Sequence, residues 1–259
     1  GIENADDLVL LSGQELLSQN YALCKADMLL KGEVRSNITN GNSLIPHLES
    51  IEDDGDQHAN RYFDYMISNP PFGVDWSPYK ADVLKLEGSR YAAGISPSND
   101  GALLFLLTMI EKMKPVTQGG SKIAILFNGS PLSNGDATQG ESEIRRHILE
   151  NDLLDTIVMI PDQMFYNTGI YTYVWLLNNN KPESRQGKVQ LIDASLLFRK
   201  LRKNLGNKNC EFAPEHIAEI TKAYLDCADI ERALDTNNDA GGIASQVFNN
   251  EEFGYHKVN

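Results

Sequence analysis

Residues 63–73 read Phe-Asp-Tyr-Met-Ile-Ser-Asn-Pro-Pro-Phe-Gly, and no other stretch limits the fold as tightly. Tyr65, Met66 and Ile67 suit a buried strand, whereas Pro70 and Pro71 lack the backbone N–H that a sheet ladder needs. The strand therefore has to stop by Asn69. A rigid, carbonyl-rich turn carrying one amide side chain is left just past its carboxyl end. In open α/β sheets that edge is where ligands bind.

The flanking sequence supplies such a sheet. Residues 8–11, Leu-Val-Leu-Leu, predict a buried strand ending at Ser12-Gly13-Gln14-Glu15. Leu17, Tyr21, Cys24 and Met28 fall on one helical face, with Gly32 as the stop. Residues 38–44 predict a short strand and turn, and the acidic stretch 49–60 a surface loop. The irregular segment 73–99 holds Trp76, Tyr79 and Arg90, and a connection that long is commonly functional. Residues 102–113 predict a helix apolar on most sides, hence buried, and 122–127 a further strand. Ile144, Ile148 and Leu149 mark one face of a short helix. Residues 154–160 and 171–177 are strand-like with no helix between them, which predicts an antiparallel pair at one sheet edge. Residues 189–192 add a strand. Pro214 opens a helix with Ile217, Ile220, Tyr224 and Leu225 on one face. Alternating strands and helices give an α/β domain around a mostly parallel sheet over 1–193. A helical appendage is expected over 194–235, and a poorly ordered polar tail over 236–259.

Charge narrows the function. The chain of 259 residues carries a formal net charge of −13. An isolated nucleic-acid binder usually has a basic footprint, so any action on DNA or RNA requires another chain or part to supply most phosphate contacts. Cys24, Cys210 and Cys227 are odd in number and form no Cys-x-x-Cys pair, which predicts a reduced, cytoplasmic setting without structural zinc. The longest nearly apolar run, 102–110, is too short to span a bilayer, and residues 1–7 are acidic where a signal peptide needs basic and apolar segments.

An amide and a carbonyl fixed side by side suit one kind of chemistry. The lone pair of an exocyclic amine on a base is delocalised into the ring, which makes the nitrogen a poor nucleophile. The Asn69 side-chain oxygen and the Pro70 carbonyl can accept from its two N–H groups and favour a tetrahedral nitrogen, free to attack an electrophilic methyl. Phe72 would stack on the base, which must leave the duplex to be reached. Taken alone, the tetrapeptide is more often an ordinary turn, and it is the preceding apolar strand and following Gly73 that favour the functional reading.

Asn69-Pro70-Pro71-Phe72 resembles the catalytic motif of S-adenosylmethionine-dependent amino-methyltransferases of the N6-adenine type. The resemblance extends through Ser12-Gly13-Gln14-Glu15, Cys24-Lys25-Ala26-Asp27-Met28, Phe63 to Trp76, Arg90-Tyr91 and the helix at Ala102. It continues in Ile160-Pro161, Phe165, Thr168-Gly169-Ile170 and Ile192-Asp193-Ala194. In sum it is similar to the modification (M) subunit of type I restriction–modification systems over most of residues 8–225. The resemblance implies a class I, Rossmann-like methyltransferase sheet with a terminal antiparallel hairpin. It implies S-adenosylmethionine as cofactor, double-stranded DNA as substrate, and a specificity (S) and a restriction (R) subunit as partners. Asn69, Pro70, Pro71 and Phe72 would be catalytic. Glu15 would bind the cofactor's ribose hydroxyls, and Asn42, with Leu44 beside it, its adenine. Trp76, Arg90, Phe165 and Tyr166 would contact the flipped base or DNA. No metal is implied. An RNA-base or protein-glutamine methyltransferase, and a non-catalytic scaffold, are the alternatives.

One family feature is missing from these 259 residues: the Gly-rich loop that lets backbone approach the cofactor. Gly119-Gly120 and Gly241-Gly242 lie in the wrong places. The family's helical N-terminal domain is missing as well. The expectation is a sheet truncated before its second strand, a fragment that alone binds S-adenosylmethionine weakly and is inactive.

Overall fold

In the computed structural model, which describes residues 9–33, 37–47, 55–166, 168–232 and 242–255, Ser12–Glu15 (β1) and Asn37–Asn40 (β2) pair in parallel. Parallel neighbours need a crossover, which the helix Ser18–Leu30 (α1) provides. This βαβ element belongs to the first of two compact units, Gly1–Arg61 with Trp76–Ala92. Tyr21, Cys24, Lys25 and Met28 form the half-buried face of α1. The apolar run before β1 is not a buried strand, because β2 offers a ladder only from Ser12 onward. Val9, Leu10 and Leu11 are exposed, and Leu8 lies outside the described residues.

The segment after Gly73 also departs from expectation. It contributes a single 3-10 turn, Ser77–Tyr79, and a short helix, Lys80–Leu84 (α2). Trp76, Val83 and Tyr91 are buried, as are Ile38, Leu44 and Ile45 of the same unit. Of the expected acidic surface loop, residues 49–54 lie outside the described residues, while Asp56 and His58 are buried.

The second unit, Tyr62–Asp75 with Ala93–Asn259, is built on a larger sheet. Its strands are β3 (Tyr65–Ser68), β4 (Lys122–Phe127), β5 (Leu154–Ile160), β6 (Thr172–Asn178) and β7 (Lys188–Asp193). A separate ribbon, β8 (Arg199–Leu205) with β9 (Lys208–Glu211), follows, and β10 (Ala244–Asn249) returns to the sheet. The order is β10-β7-β5-β6-β4-β3. β3, β4, β5 and β7 run one way, and β6 and β10 the other. Helix α3 (Ala102–Glu111) links β3 to β4 and buries Ala102, Leu103, Leu104, Leu106, Leu107 and Thr108, as its nearly unbroken apolar sequence predicts. A short turn of helix, α4 (Ser130–Ser133), precedes α5 (Gly140–Glu150), which buries Ile144 and Ile148. α6 is Pro214–Asp226.

The antiparallel pairing of β5 with β6 matches the sequence reading, but the pair is not at the sheet edge. β7 adds to β5 in parallel and β10 adds beyond it. β10 arises from the segment expected to be a polar tail, of which residues 236–241 and 256–259 lie outside the described residues. An outer strand needs backbone partners on one side only, so its polar side chains do not exclude it. Of the expected helical appendage, residues 194–232 fall in the same compact unit as this sheet, and residues 233–235 lie outside the described residues. The Gln190 side-chain amide of β7 donates to the Ala223 carbonyl of α6 and to Ser245 Oγ of β10, both at 2.9 Å. The inward residues of α6 are Ile220, Ala223 and Tyr224, whereas Ile217 and Leu225 are exposed.

A buried cation completes this seam. Arg185 donates through Nε to Asp155 Oδ1 (2.6 Å), through Nη2 to Thr156 and Gln190, and through Nη1 to the Tyr224 carbonyl. Its guanidinium lies 4.7 Å from the Tyr224 ring centroid. Tyr224 Oη donates to Asp155 Oδ2 at 2.8 Å. Burial, then this hydrogen bond to Asp155, pushes the phenol up to about 12. A raised phenol pKa favours the neutral form in the native state. That stabilisation is complete below the ordinary value of about 10 and is lost as pH rises through the native value. Melting temperature is therefore expected to fall between pH 10 and 12 more steeply in the wild type than in Tyr224→Phe. Parallel curves for the two would contradict this.

Candidate active site

β3 ends at Ser68, and the chain leaves the sheet through Asn69-Pro70-Pro71-Phe72. Pro70 is buried and Phe72 half-buried, so the turn is anchored from both sides of Pro71. Gly73 takes φ +62°, a conformation that costs glycine little and reverses the chain. The Val74 carbonyl then accepts the Gly101 N–H at 3.0 Å, just ahead of α3. Asn69 is exposed, and its amide has no hydrogen-bond partner among the described residues. It can offer an acceptor without first breaking an internal bond.

β5 runs parallel to β3, so its carboxyl end faces the same sheet edge. There Pro161 opens the segment that carries Phe165 and Tyr166. Phe72 and Phe165 pack against one apolar cluster that includes Leu126, Ile160 and Met164. The Tyr166 ring is exposed, with the Lys208 ammonium 5.8 Å from its centroid. The second unit thus carries Asn69, Pro70, Pro71, Phe72, Phe165 and Tyr166 of the sequence-predicted set, with Phe72 and Phe165 against one apolar cluster. The exposed Asn69 amide is a free acceptor in the turn that carries Phe72.

The other predicted residues lie on the first unit. Glu15 closes β1 and is half-buried. Its carbonyl accepts from the Asn40 side chain and the Gly41 N–H, but its carboxylate has no partner among the described residues. Asn42, two residues past β2, is 4% exposed. Its Oδ1 accepts the Leu44 N–H at 3.0 Å, while its Nδ2 has no acceptor. A buried donor left unsatisfied costs about 1–3 kcal/mol, which a ligand acceptor would offset. A free carboxylate and an orphaned amide at the carboxyl end of a parallel strand pair fit the hydroxyls and ring nitrogens of a nucleoside.

Three predicted contacts are corrected. Leu44 is in the core, its N–H committed to Asn42 and its carbonyl to Tyr91 Oη at 2.8 Å. It shapes the turn and presents no contact group. Trp76 is 2% exposed and cannot meet DNA from that position. Arg90 donates to Asp56 Oδ2 at 2.8 Å and to the Ser43 carbonyl at 2.7 Å, with both charged side chains almost fully buried. Its charge is consumed within the unit.

The sequence pattern does not mark the ribbon β8–β9 as strands. Its one sequence signal is the basic run Arg199-Lys200-Leu201-Arg202-Lys203 in a chain whose net charge is −13. No group of three or more His, Cys, Asp or Glu among the described residues is placed to hold a metal ion. No helix among them is long and apolar enough to cross a membrane.

The fold is that of the class I S-adenosylmethionine-dependent methyltransferases. The type I restriction–modification methyltransferase subunit of Streptococcus thermophilus superposes with a TM-score of 0.74 at 27% identity, over 94% of this chain and 45% of that one. The MjaIX methylase subunit of Methanocaldococcus jannaschii is 29% identical over 217 residues, 82% of this chain and 35% of that protein. The HindI methylase subunit of Haemophilus influenzae is 36% identical over 141 residues, 53% of this chain and 29% of that protein. The chain spans about a third of the length of these curated relatives. Residues 3–251 match the N-6 DNA Methylase family, and the chain belongs to it.

Proposed function

We propose that this chain is part of a cytoplasmic DNA adenine-N6 methyltransferase of a type I restriction–modification system, working with a specificity and a restriction subunit. The observation that carries the reading is the free Asn69 amide beside Pro70, held past the end of β3 in a member of the N-6 DNA Methylase family. When bound, S-adenosylmethionine would supply the electrophilic methyl group: as the amine nitrogen bonds to that carbon its sulfonium C–S bond breaks to leave S-adenosylhomocysteine, and one amine proton passes to solvent. Asn69 Oδ1 and the Pro70 carbonyl accept the two N–H bonds of the adenine amine and draw its lone pair out of the ring. The gain is greatest where positive charge develops on that nitrogen. Phe72 stacks on the flipped base, with Phe165 and Tyr166 at its margin. Glu15 accepts from the ribose hydroxyls of the cofactor, and the unsatisfied Asn42 Nδ2 donates to an acceptor nitrogen of its adenine.

The test uses the full-length protein with its specificity subunit and methyl-labelled S-adenosylmethionine. Duplex DNA, RNA and protein are offered in parallel. Label is expected in N6-methyladenine of the DNA. Label confined to RNA or to glutamine side chains, or no transfer to any of the three, would overturn the reading.

A further inference from the structure

The ribbon β8–β9 concentrates positive charge in a strongly acidic chain. Arg199, Lys200, Arg202, Lys203 and Lys208 fall within ten residues, whereas the chain as a whole carries −13. Two of these cations are occupied. Arg199 pairs with Glu211 at 2.8 Å, and Lys208 Nζ donates to the Met164 carbonyl at 2.9 Å. Lys200, Arg202 and Lys203 are exposed and have no hydrogen-bond or ion-pair partner among the described residues.

Their display follows from the ribbon's irregular register. Lys200 opposes Cys210 and Leu205 opposes Lys208, so residues 201–204 of β8 face the single residue Asn209. The surplus backbone must bulge, and a bulge re-aims side chains away from the regular ladder. Arg202 and Lys203 lie within it. The turn is fixed by Gly206 at φ +64°, where a Cβ would come 2.8 Å from the Tyr166 carbonyl.

The ribbon is also fastened to the candidate site. The Asn207 N–H donates to the Tyr166 carbonyl and the Asn209 N–H to the Gln163 carbonyl, both at 3.0 Å. The Cys210 thiol donates to the Asp162 carbonyl at 3.2 Å. The segment that carries Phe165 and Tyr166 is thus bonded along its length to the turn and the second strand of the ribbon.

We infer that the β8–β9 ribbon binds the phosphate backbone of duplex DNA through Lys200, Arg202 and Lys203, beside the point where the target base is taken up. An acidic body repels phosphate over most of its surface, so local unpaired cations decide where a duplex can approach. The inference rests on the DNA-methylase reading, and its test separates the two. Anisotropy of a labelled non-specific duplex is measured against salt with the full-length protein in complex with its specificity subunit. Counterion release gives a slope of log K on log salt of about −0.9 per neutralised phosphate. The triple variant Lys200→Gln, Arg202→Gln, Lys203→Gln is expected to flatten that slope by about 2.7 units, with an unchanged melting temperature. A control that removes the same charge from ion-paired lysines, Lys31→Gln, Lys85→Gln, Lys222→Gln, is expected to leave the slope unchanged. An unaltered slope in the ribbon variant, or equal flattening in the control, would overturn the ribbon while leaving the methylation assay untouched. Loss of methyl transfer to DNA in the wild type, with the ribbon-dependent slope intact, would overturn the catalytic reading and uphold the phosphate site.

Discussion

Asn69→Ala, made in the full-length protein, is expected to lower kcat for adenine methylation by about 10²–10³-fold, the usual effect of deleting one group aimed at developing charge. The substitution removes an acceptor that matters most once the amine nitrogen begins to bond to the methyl carbon. KM for DNA should move little, because the exposed amide contributes little to ground-state contact. Structural damage is also expected to be small. Asn69 makes no internal hydrogen bond among the described residues, and the turn is held by buried Pro70 and by Gly73. Asn69→Asp keeps an acceptor oxygen at the same distance from the backbone and should retain more activity than the alanine variant. Single-turnover rates with duplex binding measured alongside would show the pattern. Unchanged methylation in Asn69→Ala would remove the turn from the mechanism and leave a scaffolding role for this chain.

Arg185→Ala should produce a large loss of stability in the second unit. Both members of the Arg185–Asp155 pair are nearly excluded from solvent. Deleting one partner of such a pair leaves the other charge buried and unmatched, at a cost of about 3–5 kcal/mol. The same change strips Thr156, Gln190 and the Tyr224 carbonyl of their donor. The midpoint of urea unfolding reports the effect. Lys114→Ala is the contrast, since its partner Asp64 stands in water and the pair should matter little. Equal midpoint shifts for the two variants would show that the buried network does not hold the seam.

How far these features could be read from the chain alone depended on the kind of constraint. Two consecutive prolines are categorical, because neither can continue a ladder, and the end of β3 followed from them. The unbroken apolar sequence of α3 similarly left burial as its only outcome. Trp76 and Arg90 were harder. An aromatic and a cation in a long connection suit a DNA contact or a core equally, and only the Asp56 and Ser43 partners decide it. β10 was hidden because an outer strand is held by backbone bonds that its polar side chains do not advertise. The ribbon was hidden because bulged, charge-rich β8 lacks the alternation that marks a half-buried strand. Asn42 showed its character only through a missing partner, which sequence does not record.

The order of strands in the larger sheet also has a temporal meaning. β7 is complete once Asp193 has left the ribosome, but the strand that pairs with its outer side is residues 244–249. Gln190 must wait as long for Ser245. During synthesis, therefore, β7 presents an unpaired backbone edge while about fifty further residues are added at ~5–20 per second. An open ladder of this kind is a template for mispairing with neighbouring nascent chains.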